Sequence, residues 1–374
     1  MMNLLITMKL SDRSVWNHIY PLTNLNSIRK ITLVRDTSGV PIPKVTYITP
    51  FHDRVTELHL MTLVKGLLIM RYSLIEKPLL IHSYLLYPHG FLAFIAGKMT
   101  GRKVGVSLIA GPVETYLFGA SPIEKYSYCH PLPPPDTMSR LILSVLKRFD
   151  VITVTGTYTR NFLVSRGIDE HKIVLLPHVV DERFRPTDSK KDYDVLFVGR
   201  LEPVKHVETL IRAISVVKKS LPSIKVAIVG DGEERRNLEE LTRSLDLTGQ
   251  ISFMGYVTNT WEWYNRSKIS VVTSEREGFP YTVIESLACN VPTIVSDCGD
   301  VCDIVRDSFN GKIVPEYNDY NAYAEGIIDL LTHPDLLKKY SENCSLLSRD
   351  VSFNSVEAIW EKIIMGIERK NTGK

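Results

Sequence analysis

Short runs of Val, Ile and Leu recur along this chain, each bounded by Gly, Pro or a polar turn and each followed by a longer segment with apolar residues every three to four positions. An apolar run without alternation marks a strand covered on both faces, and the helix-length segment after it is the crossover that a parallel neighbour needs. In the first half this pattern predicts strands at Leu4–Met8, Ile31–Arg35, Val45–Ile48, Leu79–His82, Val104–Ile109 and Val151–Val154. In the second half it predicts Tyr193–Val198, Lys225–Val229, Ile251–Phe253, Ile269–Val272 and Thr293–Ser296. The expected class is α/β, with two doubly wound, Rossmann-like parallel-sheet domains. The polar stretch Thr187–Tyr193 behind Pro186 reads as a linker, which divides the chain into residues 1–187 and 188–352. The tail, 353–374, shows an apolar face through Val356, Ile359, Trp360, Ile363 and Ile367, expected to pack back across the domain junction. Four prolines within His130–Arg140 predict an exposed loop ahead of a helix at Met138–Arg148.

Length agrees with this division, since 374 residues exceed what one hydrophobic core usually organises. With 44% hydrophobic and 23% charged residues the chain is an ordinary globular protein, which excludes disordered and fibrous classes. A net charge of +3, from 45 Lys+Arg against 42 Asp+Glu, gives no electrostatic footprint for nucleic acid. Cys129, Cys289, Cys298, Cys302 and Cys344 form no disulfide framework and read as reduced thiols of a cytoplasmic protein. Cys298 and Cys302 stand four apart but lack a second pair, so no metal site is expected. The N-terminal apolar run has no basic region before it and reads as a first strand, not a signal peptide.

No apolar run is long enough to span a bilayer. A helix expected from Thr56 to Ile75 leaves two readings open. It packs on the first sheet, or its segment Leu58–Leu74 lies on the inner face of a membrane, Leu and Met in the headgroup boundary and Lys65 and Arg71 on anionic lipid.

Ligands of open parallel sheets bind beyond the carboxyl ends of the strands. After Val195–Val198 comes GRLEPVKHVETLIRAI, where Gly199 permits a tight turn and Arg200 and Lys205 precede a helix whose free N–H groups favour an anion. GDGEERRNLEELTRSL follows Lys225–Val229, and TSEREGFPYTVIESLAC follows Ile269–Val272. Together these ends supply two cations, helix N-termini and two carboxylates, a set suited to a ligand with both phosphates and hydroxyls. Pro280 should open a helix through Tyr281–Cys289, leaving Glu277 in the preceding loop and Glu285 as a charge among apolar neighbours. A charge in such a place usually has a specific partner.

These motifs, with ISFMGYV and SEREGFPYTVIESLACNVPTIVSDCGDVCDIVRDSFNGKIV, resemble the C-terminal half of the retaining glycosyltransferases of family four, of GT-B fold. IHSYLLYPHGFLAFIAGKMTGRKVGVSLIAG and RFDVITVTGTYTRNFLVSRGIDEHKIVLLPHVVDERFRP extend the likeness more loosely to the first half. The resemblance implies two domains facing across a cleft and a nucleotide-sugar donor, such as a UDP- or GDP-hexose, held by the second. Arg200 and Lys205 would neutralise the diphosphate, making them, with Glu277, the catalytic group. Glu277 and Glu285 would form the family's Glu-x7-Glu motif, the first on sugar hydroxyls and the second on the ribose. The backbone of Gly278, Phe279, Pro280, Tyr281 and Thr282 would line sugar and phosphate; Gly199 would form the phosphate turn, and Gly255, Tyr256 and Val257 would lie near the base. The acceptor would be a glycan or a lipid-linked glycan. Neither a cofactor nor an obligatory metal is expected.

The chain departs from the family's pattern at three places. KLSDRSVWNH replaces a Gly-rich turn after the first strand; Ile109, Ala110 and Gly111 stand where a histidine is frequent; and His206 stands where glycine is usual, so a differently shaped loop is expected there. His82, His89, His130 and His178 are the substitutes for the missing histidine, a structural role being the commoner one for each. A catalytically silent nucleotide-sugar-binding protein, or an enzyme of this fold with a small-molecule acceptor, is the alternative function. A Rossmann dehydrogenase is disfavoured, since no G-x-G-x-x-G follows the first strand.

Overall fold

The computed structural model describes residues 1–50, 58–116, 135–348 and 351–372. They form two compact units, the first from residues up to 179 together with the tail from 352, the second from 180 to 351.

The first unit runs β1 (Met2–Thr7), α1 (Asp12–Asn24), β2 (Ile28–Val34), β3 (Val45–Ile48), α2 (Leu58–Glu76), β4 (Leu80–Tyr84), α3 (Phe91–Thr100), β5 (Lys103–Leu108), α4 (Thr137–Leu146), β6 (Val151–Val154), α5 (Thr157–Ser165) and β7 (Ile173–Leu175). Its seven strands lie in the order β3-β2-β1-β4-β5-β6-β7, parallel at every pairing. Local chemistry starts the helices where the apolar pattern asks for them. Ser11 Oγ accepts from Ser14 N–H to cap α1, and Asp136 Oδ1 accepts from Ser139 N–H at 2.7 Å to cap α4.

The second unit runs β8 (Tyr193–Val198), α6 (Val207–Val217), β9 (Val226–Val229), α7 (Arg235–Ser244), β10 (Ile251–Gly255), α8 (Thr260–Asn265), β11 (Ser267–Val272), α9 (Tyr281–Ala288), β12 (Thr293–Ser296), β13 (Gly311–Val314), α10 (Tyr320–Thr332) and α11 (Pro334–Ser348). Its six parallel strands follow the order β10-β9-β8-β11-β12-β13. In both sheets the order reverses beside the first strand, at β1/β4 and at β8/β11. Such a switch point opens a crevice outside the strand ends.

The last helix, α12 (Phe353–Thr372), returns to the first unit. Val356, Trp360, Ile363 and Ile367 are buried in that unit's core beside Ile19, Leu22 and Tyr84, and Ile359 packs against it. The division between units falls at residues 179 and 180, ahead of the polar stretch read as the linker. Val180 and Phe184 already pack in second-unit clusters, and Asn265 anchors the strand-like lead-in by accepting from Thr187 N–H and donating to the Arg185 carbonyl.

Two strands escaped the sequence pattern. Both are edge strands: β7, Ile173–Leu175, is only three residues long, and β13 opens with Gly311 and Lys312, which interrupt its apolar run. The helix expected over 56–75 is present as α2, its first expected residues lying outside the described ones. One of its two cations is misplaced in the membrane reading: Lys65 is buried and ion-paired with Asp36, whereas Arg71 is exposed. Cys129, His130 and the start of the proline-rich loop also lie outside the described residues.

Candidate active site

Three glycine turns interlock at the carboxyl ends of β8, β9 and β10. Gly199 N–H donates to Val229 O at 3.0 Å, Leu201 N–H to Asp231 O at 2.9 Å, and Gly230 N–H to Gly255 O at 2.9 Å. Backbones approach so closely that a Cβ on Gly230 would lie 1.7 Å from Gly199 O, and one on Gly232 would lie 2.3 Å from Leu201 O. Glycine is required there by contact, which gives the GDG turn a physical basis.

The switch point lies between β8 and β11. After β8 the chain makes a turn at Pro203–Lys205 and enters α6; after β11 it makes the loop 273–280 and enters α9. Thr273 Oγ1 donates to Lys205 O at 2.7 Å, and Glu275 N–H donates to Val204 O at 3.0 Å, so the two loops form one seam. Within it Lys205 Nζ is ion-paired with Glu277 Oε1, the side chains 19% and 17% exposed. A cation and a carboxylate predicted from separate motifs are thus brought together at the crevice.

Arg200 is placed differently. Its side chain is 73% exposed and paired with Glu202, in the same turn. Glu285 lies inside α9 and is 3% exposed, as its apolar surroundings implied. Pro280 is the residue before α9 in extended conformation, Phe279 is buried in the core beneath, and Tyr281 and Thr282 are half-buried in the first turn. Gly255 has a left-handed backbone (φ 71°), Tyr256 is exposed and Val257 is half-buried.

One contributor was not singled out from the sequence. Gly299, after β12, has φ 58°, and a Cβ on it would lie 2.1 Å from Glu277 O and 2.5 Å from Gly278 O. Asp300 N–H donates to Gly278 O at 2.9 Å. The SDCGD turn therefore buttresses the loop that carries Glu277, and its glycine beyond an apolar strand was the available signal.

At His206, where a differently shaped loop is expected, the backbone is left-handed. His206 takes φ 45° and ψ 46°, the left-handed conformation natural to glycine, so the turn keeps a glycine-type backbone with a histidine on it.

In the first unit, His82 lies within β4, its Nε2 2.8 Å from Ser107 Oγ and its ring edge-on to Trp360. His178 packs edge-on to His18. Burial holds His82 down at about 3 and His178 well below the ordinary imidazole value, so both are neutral core groups. His89 lies at the end of this unit's switch point, its Nδ1 3.3 Å from Thr7 Oγ1 at the end of β1; burial lowers it to about 4. Glu114 braces the same end by accepting from Leu86 N–H at 2.7 Å and Ala110 N–H at 2.8 Å, while burial raises it to about 7.

Among the described residues no group of three or more His, Cys, Asp or Glu is arranged to hold a metal. Burial pushes the Cys298 thiol up to about 12, so it is held as the neutral thiol.

Residues 180–345 match the family model of glycosyl transferases group 1. An uncharacterized glycosyltransferase of Haemophilus influenzae is 29% identical over 46% of this chain and 48% of its own length, so the chain spans about half of that relative. A Campylobacter jejuni α-1,4-N-acetyl-D-galactosaminyltransferase, named for an undecaprenol-linked glycan, is 28% identical over 59% of this chain and 61% of its own. The crystal structure of Anabaena Alr3699/HepE in complex with UDP superposes with a TM-score of 0.79 at 14% identity, covering 98% of this chain and 100% of that one. That likeness establishes the GT-B fold.

Proposed function

We propose that the second unit, a glycosyl transferases group 1 domain, holds a nucleotide-sugar donor at the Lys205–Glu277 seam, and that the protein transfers the sugar to a glycan or lipid-linked acceptor. The observation that carries this reading is the meeting of Lys205 and Glu277 at the topological switch point, with the buried Glu285 one helical turn behind. As the bond between sugar and diphosphate breaks and the acceptor oxygen bonds to the anomeric carbon, charge grows on the departing phosphate. Lys205 and the N-terminus of α6 meet that charge, with Arg200 swinging from Glu202 to join them. Glu277 takes sugar hydroxyls, Glu285 the ribose, and residues 255–257 border the base. A UDP-hexose is the first donor to test, because UDP occupies the Anabaena protein of like fold. Transfer with retention and without metal belongs to the same proposal.

A thermal-shift panel of nucleotide sugars tests the donor site, since a ligand at 100 times its Kd stabilises the fold by about 2.7 kcal/mol. The proposal requires at least one nucleotide sugar to raise Tm in the wild type and to do so less in Glu285→Gln. No shift with any UDP- or GDP-sugar would remove it. Transfer to an acceptor, followed by mass spectrometry, separates the enzyme from a silent binding protein.

A specific observation also supports a peripheral membrane role. Leu63, Leu67, Leu74 and Ile75 are exposed along one side of α2 around Arg71, and Ile95 and Met99 are exposed on α3 beside Lys98. Apolar side chains interleaved with cations suit an anionic lipid surface. No helix of the described residues is long and apolar enough to cross a membrane. Co-sedimentation with anionic liposomes should fall in Arg71→Gln/Lys98→Gln and in high salt; equal binding to neutral and anionic vesicles would refute the charge pairing.

A further inference from the structure

We infer that His206 is the positioning residue of this site: from a left-handed backbone position at the end of the Pro203–Lys205 turn, it holds Glu275, and with it the loop carrying Glu277, against the N-terminus of α6. The inference rests on the donor site proposed above. Three observations carry it. First, a side chain other than glycine occupies φ 45°, a conformation retained only where surrounding contacts over-determine it. Second, those contacts are present. His206 Nδ1 lies 2.8 Å from Glu208 Oε1 on α6, its Nε2 lies 3.4 Å from Glu275 Oε2 in the loop after β11, and its ring packs against Tyr317 at 4.3 Å between centroids, tilted by 35°. Third, both ring nitrogens face carboxylates, which fits an imidazolium with two N–H donors better than a neutral ring with one.

The charges around the ring agree. From α6 it faces Glu208, itself beside Arg212; from the loop after β11 it faces Glu275; from the stretch between β13 and α10 it faces Tyr317; and its neighbour Lys205 is turned to Glu277. Hydrogen bonding and charge from Glu208 and Glu275 raise its pKa above the ordinary value of 6.5, against the opposing effect of burial. The sign follows. A raised imidazole binds its proton more tightly in the fold, so the clamp is complete below pH 6.5 and is lost as pH rises through the raised value. Glycine at this position would make the turn without strain but could not tie the two loops.

Amide hydrogen exchange of residues 273–279, read as protection factors between pH 6 and 9, tests the clamp without requiring any substrate. In the wild type, protection should fall about 5- to 10-fold as pH rises through the His206 titration, the factor expected of partly buried ion pairs. His206→Gly should show the low protection at every pH while Tm holds or rises, because the left-handed strain is relieved; Glu275→Gln should lose most of the pH dependence. Donor KM should rise by a similar factor in His206→Gly with kcat changed little. Wild-type protection and pH profile retained in His206→Gly would overturn the inference. Failure of every nucleotide sugar to bind would instead sink the function proposed above, and the exchange data would still decide the role of His206.

Discussion

Replacing Gly299 by alanine tests whether the loop carrying Glu277 is held by backbone contact. The new Cβ would sit 2.1 Å from Glu277 O and 2.5 Å from Gly278 O, so those carbonyls must retreat by about 1 Å to reach ordinary contact. That retreat also strains the bond from Asp300 N–H to Gly278 O, now 2.9 Å. The left-handed backbone at φ 58° costs alanine about 1–2 kcal/mol, and a lost hydrogen bond about 1 kcal/mol more. For a unit of this size, about 2–3 kcal/mol corresponds to a Tm lower by roughly 4–12 °C. The effect on turnover is larger in proportion, because displacing a positioned group by about 1 Å costs on the order of 100-fold. Steady-state kinetics with the donor found in the thermal-shift panel gives kcat/KM, and titration of the free nucleoside diphosphate gives binding without the sugar. Gly249→Ala is the control, since a Cβ there meets nothing within 4 Å. A Gly299→Ala enzyme within threefold of wild type, with unchanged Tm, would refute the buttress.

Lys205→Ala should lower kcat about 100-fold, and Arg200→Ala, which removes an exposed cation shared with Glu202, about 10-fold; equal and small effects would remove the role at the diphosphate. Glu277→Gln should impair use of the sugar donor more than binding of the free nucleoside diphosphate, while Glu285→Gln should weaken the latter as well, so identical binding by both variants contradicts the division between sugar and ribose. Acid should unfold the first unit first. Burial holds His18 and His89 at about 4 and His82 at about 3, so the unfolded chain takes up protons below pH 6.5 that the fold refuses, and stability is lost between pH 6.5 and about 4. Hydrogen exchange at pH 4.5 checks this, and a second unit opening at the same pH as the first would contradict it.

The sheet was legible wherever a strand is buried on both faces. Val195, Leu196 and Phe197 are all buried, and so is every residue of Val226–Val229, so their runs are unbroken in the sequence. Of the four edge strands, β3 and β10 were legible and β7 and β13 were not, β7 for its three-residue length and β13 for the Gly311 and Lys312 that open it. The burial of Glu285 was legible for a related reason: it is a charge in an apolar run, a conflict between local pattern and burial. Contacts between distant loops were not legible. Nothing in PVKHVETL says that His206 meets Glu275 across 69 residues, nor does SDCGD disclose that Gly299 lies against Glu277. Such pairs are set by the order of strands in the sheet, which periodicity does not encode.

That strand order also sets where polar groups gather in each unit. Each reverses its order beside its first strand, and each gathers polar groups at that point: Lys205, Glu275 and Glu277 in the second, Thr7 and His89 in the first. In the second unit the groups are charged and partly exposed, which suits a ligand bearing phosphates that must enter and leave. In the first, Thr7 and His89 are buried, His89 is held down to about 4 beside the Lys65–Asp36 ion pair, and Glu114 accepts from two backbone N–H groups. After β5, where a histidine is frequent in the family resembled, this chain has Ile109, Ala110 and Gly111, and Glu114 fills that turn, accepting from Ala110 N–H within it and from Leu86 N–H in the chain after β4.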